Sequence, residues 1–192
     1  MQTASAIPGT SVFRPKSPRE IRALRPDDFA TLMHLEEEVF GRKGEKTLGP
    51  YYIRLCCEFF GDTCFLAEED GRAVGYVLCM VRDREAHCTT LAVLPEAQGT
   101  RAALQLVLKL IRAPAGRIDS CWFTVKEDNH AARAIHAALG AEEVAMRDEY
   151  YGPGDRRILS RIDRAGFDRA VRRQPGLTLD QPGRRPALDA GA

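Results

Sequence analysis

Two hydrophobic rhythms alternate along this chain. Residues 20–25 (EIRALR) alternate apolar and charged positions, the period of a strand with one buried face. Pro26-Asp27-Asp28 then opens a helix, with proline in the first turn and acids at the positive end of the helix dipole. Phe29, Leu32, Met33, Leu35, Glu36, Val39 and Phe40 continue it as a stripe at helical spacing. A polar, glycine-bearing loop over 41–49 leads to a second helix, opening at Leu48 or Pro50 and ending near Phe60-Gly61. Residues 63–68 and 73–81 read as two strands joined by a hairpin turn at 69–72. A charged turn at 82–85 precedes a further strand at 86–93. Helix 100–112, a break at Ala-Pro-Ala-Gly, strand 118–125 and a helix from Asp128-Asn129 to Gly140 follow. Residues 142–151 and 156–162 close the pattern as strands around Gly152-Pro153-Gly154.

The predicted order is therefore β-α-α-β-β-β-α-β-α-β-β. A hairpin-rich first half followed by a βαβ unit implies an α/β (α+β mixed) fold, a mixed sheet covered by helices. The chain of 192 residues suits one domain with a real core. That domain is predicted over 20–162, after a proline-bearing flexible leader at 1–19 and before a disordered tail at 163–192 in which 165–173 forms at most a short helix.

Charge excludes more than it suggests. With 28 Lys and Arg against 27 Asp and Glu, composition argues for neither a nucleic-acid nor a membrane surface. No stretch approaches the roughly 18 apolar residues needed to span a bilayer. Six cysteines sit mostly inside apolar runs without the paired spacing of a metal site, so reduced, buried thiols in a cytoplasmic protein are expected and no metal is.

The chemistry concentrates where strand 86–93 meets helix 100–112. Leu91, Ala92 and Val93 end the strand at Pro95, and Gln98, Gly99, Thr100 and Arg101 form a tight turn into Ala102 and Ala103. A helix start of this kind presents free backbone N–H groups and the positive dipole end, which suits a phosphate. A second helix start carries Asn129, three residues before the small Ala132, with His136 one turn farther on. Asn129 either caps that helix or bonds an amide of an extended ligand.

These segments resemble the GNAT superfamily of acyl-coenzyme A dependent N-acetyltransferases. Gln98, Gly99 and Ala103 match its pyrophosphate-loop signature, in which Arg101 stands at a glycine position. The run from Asp128 to Ala141 resembles its cofactor-binding helix, with His136 where many relatives carry tyrosine. The resemblance implies a GNAT fold with a central, mostly antiparallel sheet, and acetyl-coenzyme A or another short acyl-coenzyme A as co-substrate. It also implies cofactor contacts from residues 91–93, 98–103, Asn129 and Ala132, with the Val93 N–H as oxyanion donor. His87 is the candidate general base and His136 the candidate general acid. Alternation along the strand predicts that His87, Thr89, Leu91 and Val93 share a face. Thr124 stands where ribosomal-protein N-terminal alanine acetyltransferases place a glutamate, and 52–68 is similar to diaminobutyrate acetyltransferases.

The acceptor is expected to be a primary amine of a small molecule or a protein N-terminus. Glu36 and Glu37 are candidates to attract its cation, against the alternative that Glu36, Glu37 and Glu38 are a solvated helix face. Tyr52 and Tyr150 are candidates to line its pocket, as are their neighbours Tyr51 and Tyr151. A homodimer is compatible with the sequence. Two classes remain open at this point: a catalytic acetyltransferase and a non-catalytic acyl-coenzyme A binding module, with Arg101 filling the loop as the route to losing the cofactor altogether.

Overall fold

A computed structural model describes residues 18–112 and 118–172. Most of the predicted leader and most of the predicted tail lie outside these residues, although Arg19, at the leader's end, is described and packed. Among them, the element order is β1 (Glu20–Ala23), α1 (Phe29–Val39), α2 (Pro50–Phe59), β2 (Phe65–Glu69), β3 (Arg72–Arg82), β4 (Glu85–Val93), α3 (Ala102–Arg112), β5 (Ser120–Lys126), α4 (His130–Ala138), β6 (Glu142–Arg147), β7 (Arg157–Asp163) and α5 (Arg164–Arg172). The order is the one the periodicities predict, with α5 added. Helix α3 starts two residues later than expected because Thr100 and Arg101 belong to the turn. Strand β6 ends at Arg147, four residues early, since Glu149 takes a positive φ that a strand cannot accommodate.

The strands form one seven-stranded sheet in the order β1-β2-β3-β4-β5-β7-β6, antiparallel except for the parallel β4–β5 pair. Each face carries its own core. Leu32, Leu35 and Val39 of α1 and Ile53, Cys56 and Cys57 of α2 pack on Leu66, Tyr76, Leu78 and Ala92. On the opposite face, Leu106, Val107, Leu110 and Ile111 of α3, with Leu139 and Phe167, pack on Val77, Cys88, Val93, Cys121 and Phe123. Burying these side chains on two sides of one sheet is what makes the fold a three-layer sandwich.

One buried ionic clamp fixes where α1 begins. The Arg22 guanidinium donates 2.7 Å bonds to both carboxylate oxygens of Asp28 and a 2.9 Å bond to Glu68, while Asp28 also accepts the Arg25 backbone N–H at 2.8 Å. The Arg22 bonds hold the Asp28 carboxyl below its ordinary pKa despite its burial. Helix α5 extends the packed body past Ile162 by burying Phe167. Among the described residues, no helix is long and apolar enough to cross a membrane.

Candidate active site

The sheet opens in its middle. Strands β4 and β5 pair from Glu85↔Ser120 to Cys88↔Phe123 and then part, so Thr124, Val125 and Lys126 pair only with β7. Residues 89–93 therefore have no strand partner on that side. Which backbone groups face the gap follows from one hydrogen bond, Leu94 N–H to Val74 O at 2.9 Å. It places Val74 and Leu94 at a hydrogen-bonded position of the antiparallel ladder, so the next pair, Gly75↔Val93, is a non-bonded one, and so is Val77↔Leu91. The N–H and C=O groups of Leu91 and Val93 thus point away from β3, into the fork.

A bulge sets this phase. Leu78 pairs with Thr90 and Cys79 with Cys88, leaving Thr89 as an extra residue on β4. Its hydroxyl donates to Leu78 O at 3.2 Å and meets the Tyr52 phenol at 2.7 Å. The extra residue also overturns one expectation. Cys88 and Val93 lie in the α3-side core and Ala92 in the α1/α2-side core, so His87 does not share a face with Val93. His87 is exposed, on the α1/α2 side, opposite Trp122 and one residue short of the fork. Simple alternation fails because a bulge shifts the period by one.

The loop after β4 is built from its own side chains. Gln98 Nε2 donates to Val93 O at 3.0 Å, tying the turn to the strand end. Gly99 takes φ +72°, which a Cβ would disfavour. The Thr100 hydroxyl donates to Ala97 O at 2.6 Å and accepts Ala102 N–H at 3.2 Å, acting as the cap of α3. Among the described residues, the backbone N–H groups of Gly99, Thr100 and Arg101 have no acceptor. Arg101 is exposed and has no ion-pair partner among the described residues, so it does not fill the loop. Ala102 is buried under the helix start and Ala103 packs at the edge of the same core. A helix start with free N–H groups, an added guanidinium and no carboxylate on Arg101 is matched to a pyrophosphate.

Across the fork, Asn129 caps α4 by accepting Ala132 N–H at 3.0 Å, which leaves its Nδ2 for any ligand. Ala132 is half-buried in the first turn. His136 is buried, stacked on Phe123 at 4.5 Å, and its Nδ1 has no partner. Burial pulls its pKa down to about 4. The ring is neutral at physiological pH, so the imidazolium acid expected there is absent.

The acceptor-side expectations divide. Glu36 is 1% exposed, with its oxygens engaged by Leu48 N–H at 2.7 Å and by the Tyr76 hydroxyl. It is neither a solvated residue nor free to meet an amine; it anchors the α1–α2 loop. Glu37 is exposed and lies over Gly41. Tyr52 reaches the fork through Thr89. Tyr150 is turned against the edge of Tyr151 at 4.7 Å, and Tyr151 is the ring that reaches β5, meeting Thr124 at 3.3 Å with Arg157 stacked on it. Lys126 crosses from β5 to Glu45 of the α1–α2 loop at 3.1 Å. Tyr151 is one of the four tyrosine candidates, whereas Glu45, Lys126 and the Thr89 bulge carry no sequence signal as parts of a site. All six cysteines are free and buried, and burial pushes the Cys88 thiol, at the last pair before the fork, up to about 12.

Comparison with known proteins agrees with this geometry. A profile of the Acetyltransferase (GNAT) family matches residues 29–141. An uncharacterized N-acetyltransferase of Methanocaldococcus jannaschii is 31% identical over 145 residues, covering 72% of this chain and 88% of its own. The [ribosomal protein bS18]-alanine N-acetyltransferase of Haemophilus influenzae is 31% identical over 84 residues, 43% of this chain and 57% of that protein. The diaminobutyrate acetyltransferase of Paenibacillus lautus, solved with L-2,4-diaminobutyric acid and coenzyme A, superposes with a TM-score of 0.64 at 16% identity, over 74% of this chain and 94% of that one. The profile over residues 29–141 and the 31% identical relative show that this chain is an acyl-coenzyme A dependent N-acetyltransferase of the GNAT family.

Proposed function

We propose that the protein transfers an acetyl group from acetyl-coenzyme A to a primary amine of a small molecule or a protein N-terminus, by direct attack within a ternary complex. The observation that carries this reading is the fork, where the Val93 N–H faces open space a few residues from an anion-ready helix start. The loop at 98–101 takes the pyrophosphate, and Asn129 Nδ2 is the group available to the pantetheine arm. The acceptor enters between the α1–α2 loop and the β6–β7 loop, where Tyr52 and Tyr151 stand on opposite arms of the fork.

In the chemical step the amine nitrogen bonds to the thioester carbon and the carbon–sulfur bond breaks. Val93 N–H donates to the oxygen as charge develops on it. His87 takes the ammonium proton through water before attack, and the second proton, shed by nitrogen as the amide forms, passes through solvent to the thiolate. No covalent enzyme intermediate enters.

Calorimetric titration with acetyl-coenzyme A, followed by a turnover screen against small amines and N-terminal peptides, tests the reading. Micromolar binding weakened about tenfold or more by Arg101→Glu is expected, as reversing a guanidinium beside a pyrophosphate costs several charge-assisted interactions. His87→Ala should lower turnover and leave that affinity unchanged. Absence of binding by the unaltered protein would overturn the proposal.

A further inference from the structure

Arg19 precedes β1, far in sequence from every segment that resembles the cofactor site, yet its side chain ends at the loop. Nη2 donates to Thr100 Oγ1 at 3.0 Å and to the Glu69 carboxylate, and Nη1 donates to Gln105 Oε1 at 2.7 Å. The side chain is only 10% exposed. One guanidinium therefore joins three elements: the end of β2, the turn and the first coil of α3.

This bond changes what Thr100 can do. A hydroxyl has one proton and two lone pairs. The proton goes to Ala97 O, one lone pair takes Ala102 N–H, and the other takes Arg19. All its bonding capacity is spent inside the loop, so Thr100 offers a ligand its backbone N–H alone. A cation beside a helix N-terminus also opposes the helix dipole. Glu69 neutralises Arg19, Arg72 and Glu96 pair at 2.9 Å, and Arg101 remains without an ion pair among the described residues. The balance around the turn is cationic.

We propose that Arg19 is a positioning residue for the cofactor: by locking the Thr100 rotor against Glu69 and Gln105, it holds the N–H groups of Gly99, Thr100 and Arg101 convergent on the coenzyme A pyrophosphate. The inference rests on the acetyl-coenzyme A reading above. A planar fork is required, because a lysine ammonium lacks the fixed geometry that reaches three acceptors in three directions.

The test compares acetyl-coenzyme A with S-acetylpantetheine, which has the thioester arm and no pyrophosphate. Affinities are measured by calorimetry for the first and ligand-observed NMR for the second, in the full chain and in Arg19→Ala, Arg19→Lys and Gln105→Ala, with thermal unfolding of each ligand-free variant. Arg19→Ala and Arg19→Lys are expected to weaken acetyl-coenzyme A about tenfold, the scale of one lost charge-assisted bond, and to leave S-acetylpantetheine unchanged. Gln105→Ala, the milder change, should shift the same ratio in the same direction by less. Equal weakening of both ligands would mean a general structural role and overturn the inference, as would unaltered affinity or full rescue by lysine. Failure of the unaltered protein to bind acetyl-coenzyme A would instead bring down the underlying reading, and this inference with it.

Discussion

The core under α1 and α2 buries the Glu36 carboxyl and the core on the α3 side buries the His136 imidazole, and the two groups are treated in opposite ways. Glu36, under α1 and α2, has both oxygens engaged, by the α1–α2 loop and by Tyr76. His136, on the α3 side, lies against Phe123 with Nδ1 unpaired. The first group ties the α1–α2 loop to the sheet, and the second fills space beside the fork. Buried polarity that is fully hydrogen-bonded specifies a geometry, whereas buried polarity left partly unbonded is tolerated at a cost.

The largest expected effect is therefore at Glu36. Replacing it by alanine strands the Tyr76 hydroxyl in the core and removes the acceptor of the partly buried Leu48 N–H, with a loss of about 3 kcal/mol in urea unfolding. Glu36→Gln should cost distinctly less, since one acceptor and the volume survive. A cost for alanine no greater than for glutamine would end the contrast between the two cores.

Titration sharpens the comparison because the signs differ. Burial raises the Glu36 pKa, so its contribution is complete below the unfolded value of about 4.3 and is lost as pH rises through its folded value. His136 is lowered from 6.5 to about 4, so its neutral form costs nothing above pH 6.5. As pH falls from 6.5 to 4 the unfolded chain gains a proton that the folded ring refuses, a loss approaching roughly 3 kcal/mol. His136→Phe should be close to wild type at pH 7.5 and more stable than it at pH 4.5. Parallel stability curves for the two proteins would show that the folded ring takes up its proton as readily as the unfolded chain does, and would overturn the contrast.

Gly75 probes the fork itself. A Cβ there would lie 2.6 Å from Ala92 O and 3.2 Å from Val93 Cα, both backbone, so the β4 arm would have to move. Gly75→Ala should cost about 1–3 kcal/mol of stability through overpacking and lower turnover about tenfold or more, because misplacing a reacting group by a fraction of an ångström is expensive. The smallest change is at Thr124. Thr124→Val removes the 3.3 Å contact with Tyr151, on an exposed part of the acceptor side. An acceptor KM raised about twofold to fivefold with an unchanged acetyl-coenzyme A affinity is expected, the effect of one weak hydrogen bond.

Much of the frame was legible in the chain. Periodicity located the eleven elements of the predicted order, and Pro26 and Pro50 marked entries to helical turns. Asn129 was readable as a cap, and capping is what its side-chain oxygen does. The acid run 36–38 was less legible. Its spacing put Glu36 on the apolar stripe, but only the packed α1–α2 loop supplies the N–H that makes a buried carboxyl tenable there.

What the sequence determined by itself is local: where strands and helices run, and where a helix start could hold an anion, because side-chain period and capping chemistry are written within a few residues. Tertiary structure decided the rest. A bulge is a two-against-one count between strands, which neither β3 nor β4 records alone, and it moved His87 to the face opposite Val93. The fork depends on where β5 stops following β4. The neutral state of His136 depends on which distant elements exclude water from it, and the role of Arg19 depends on β1 passing beside a turn some eighty residues away, |i−j| = 81 to Thr100. Contacts of that separation carry no local rhythm, so only the folded chain reveals them.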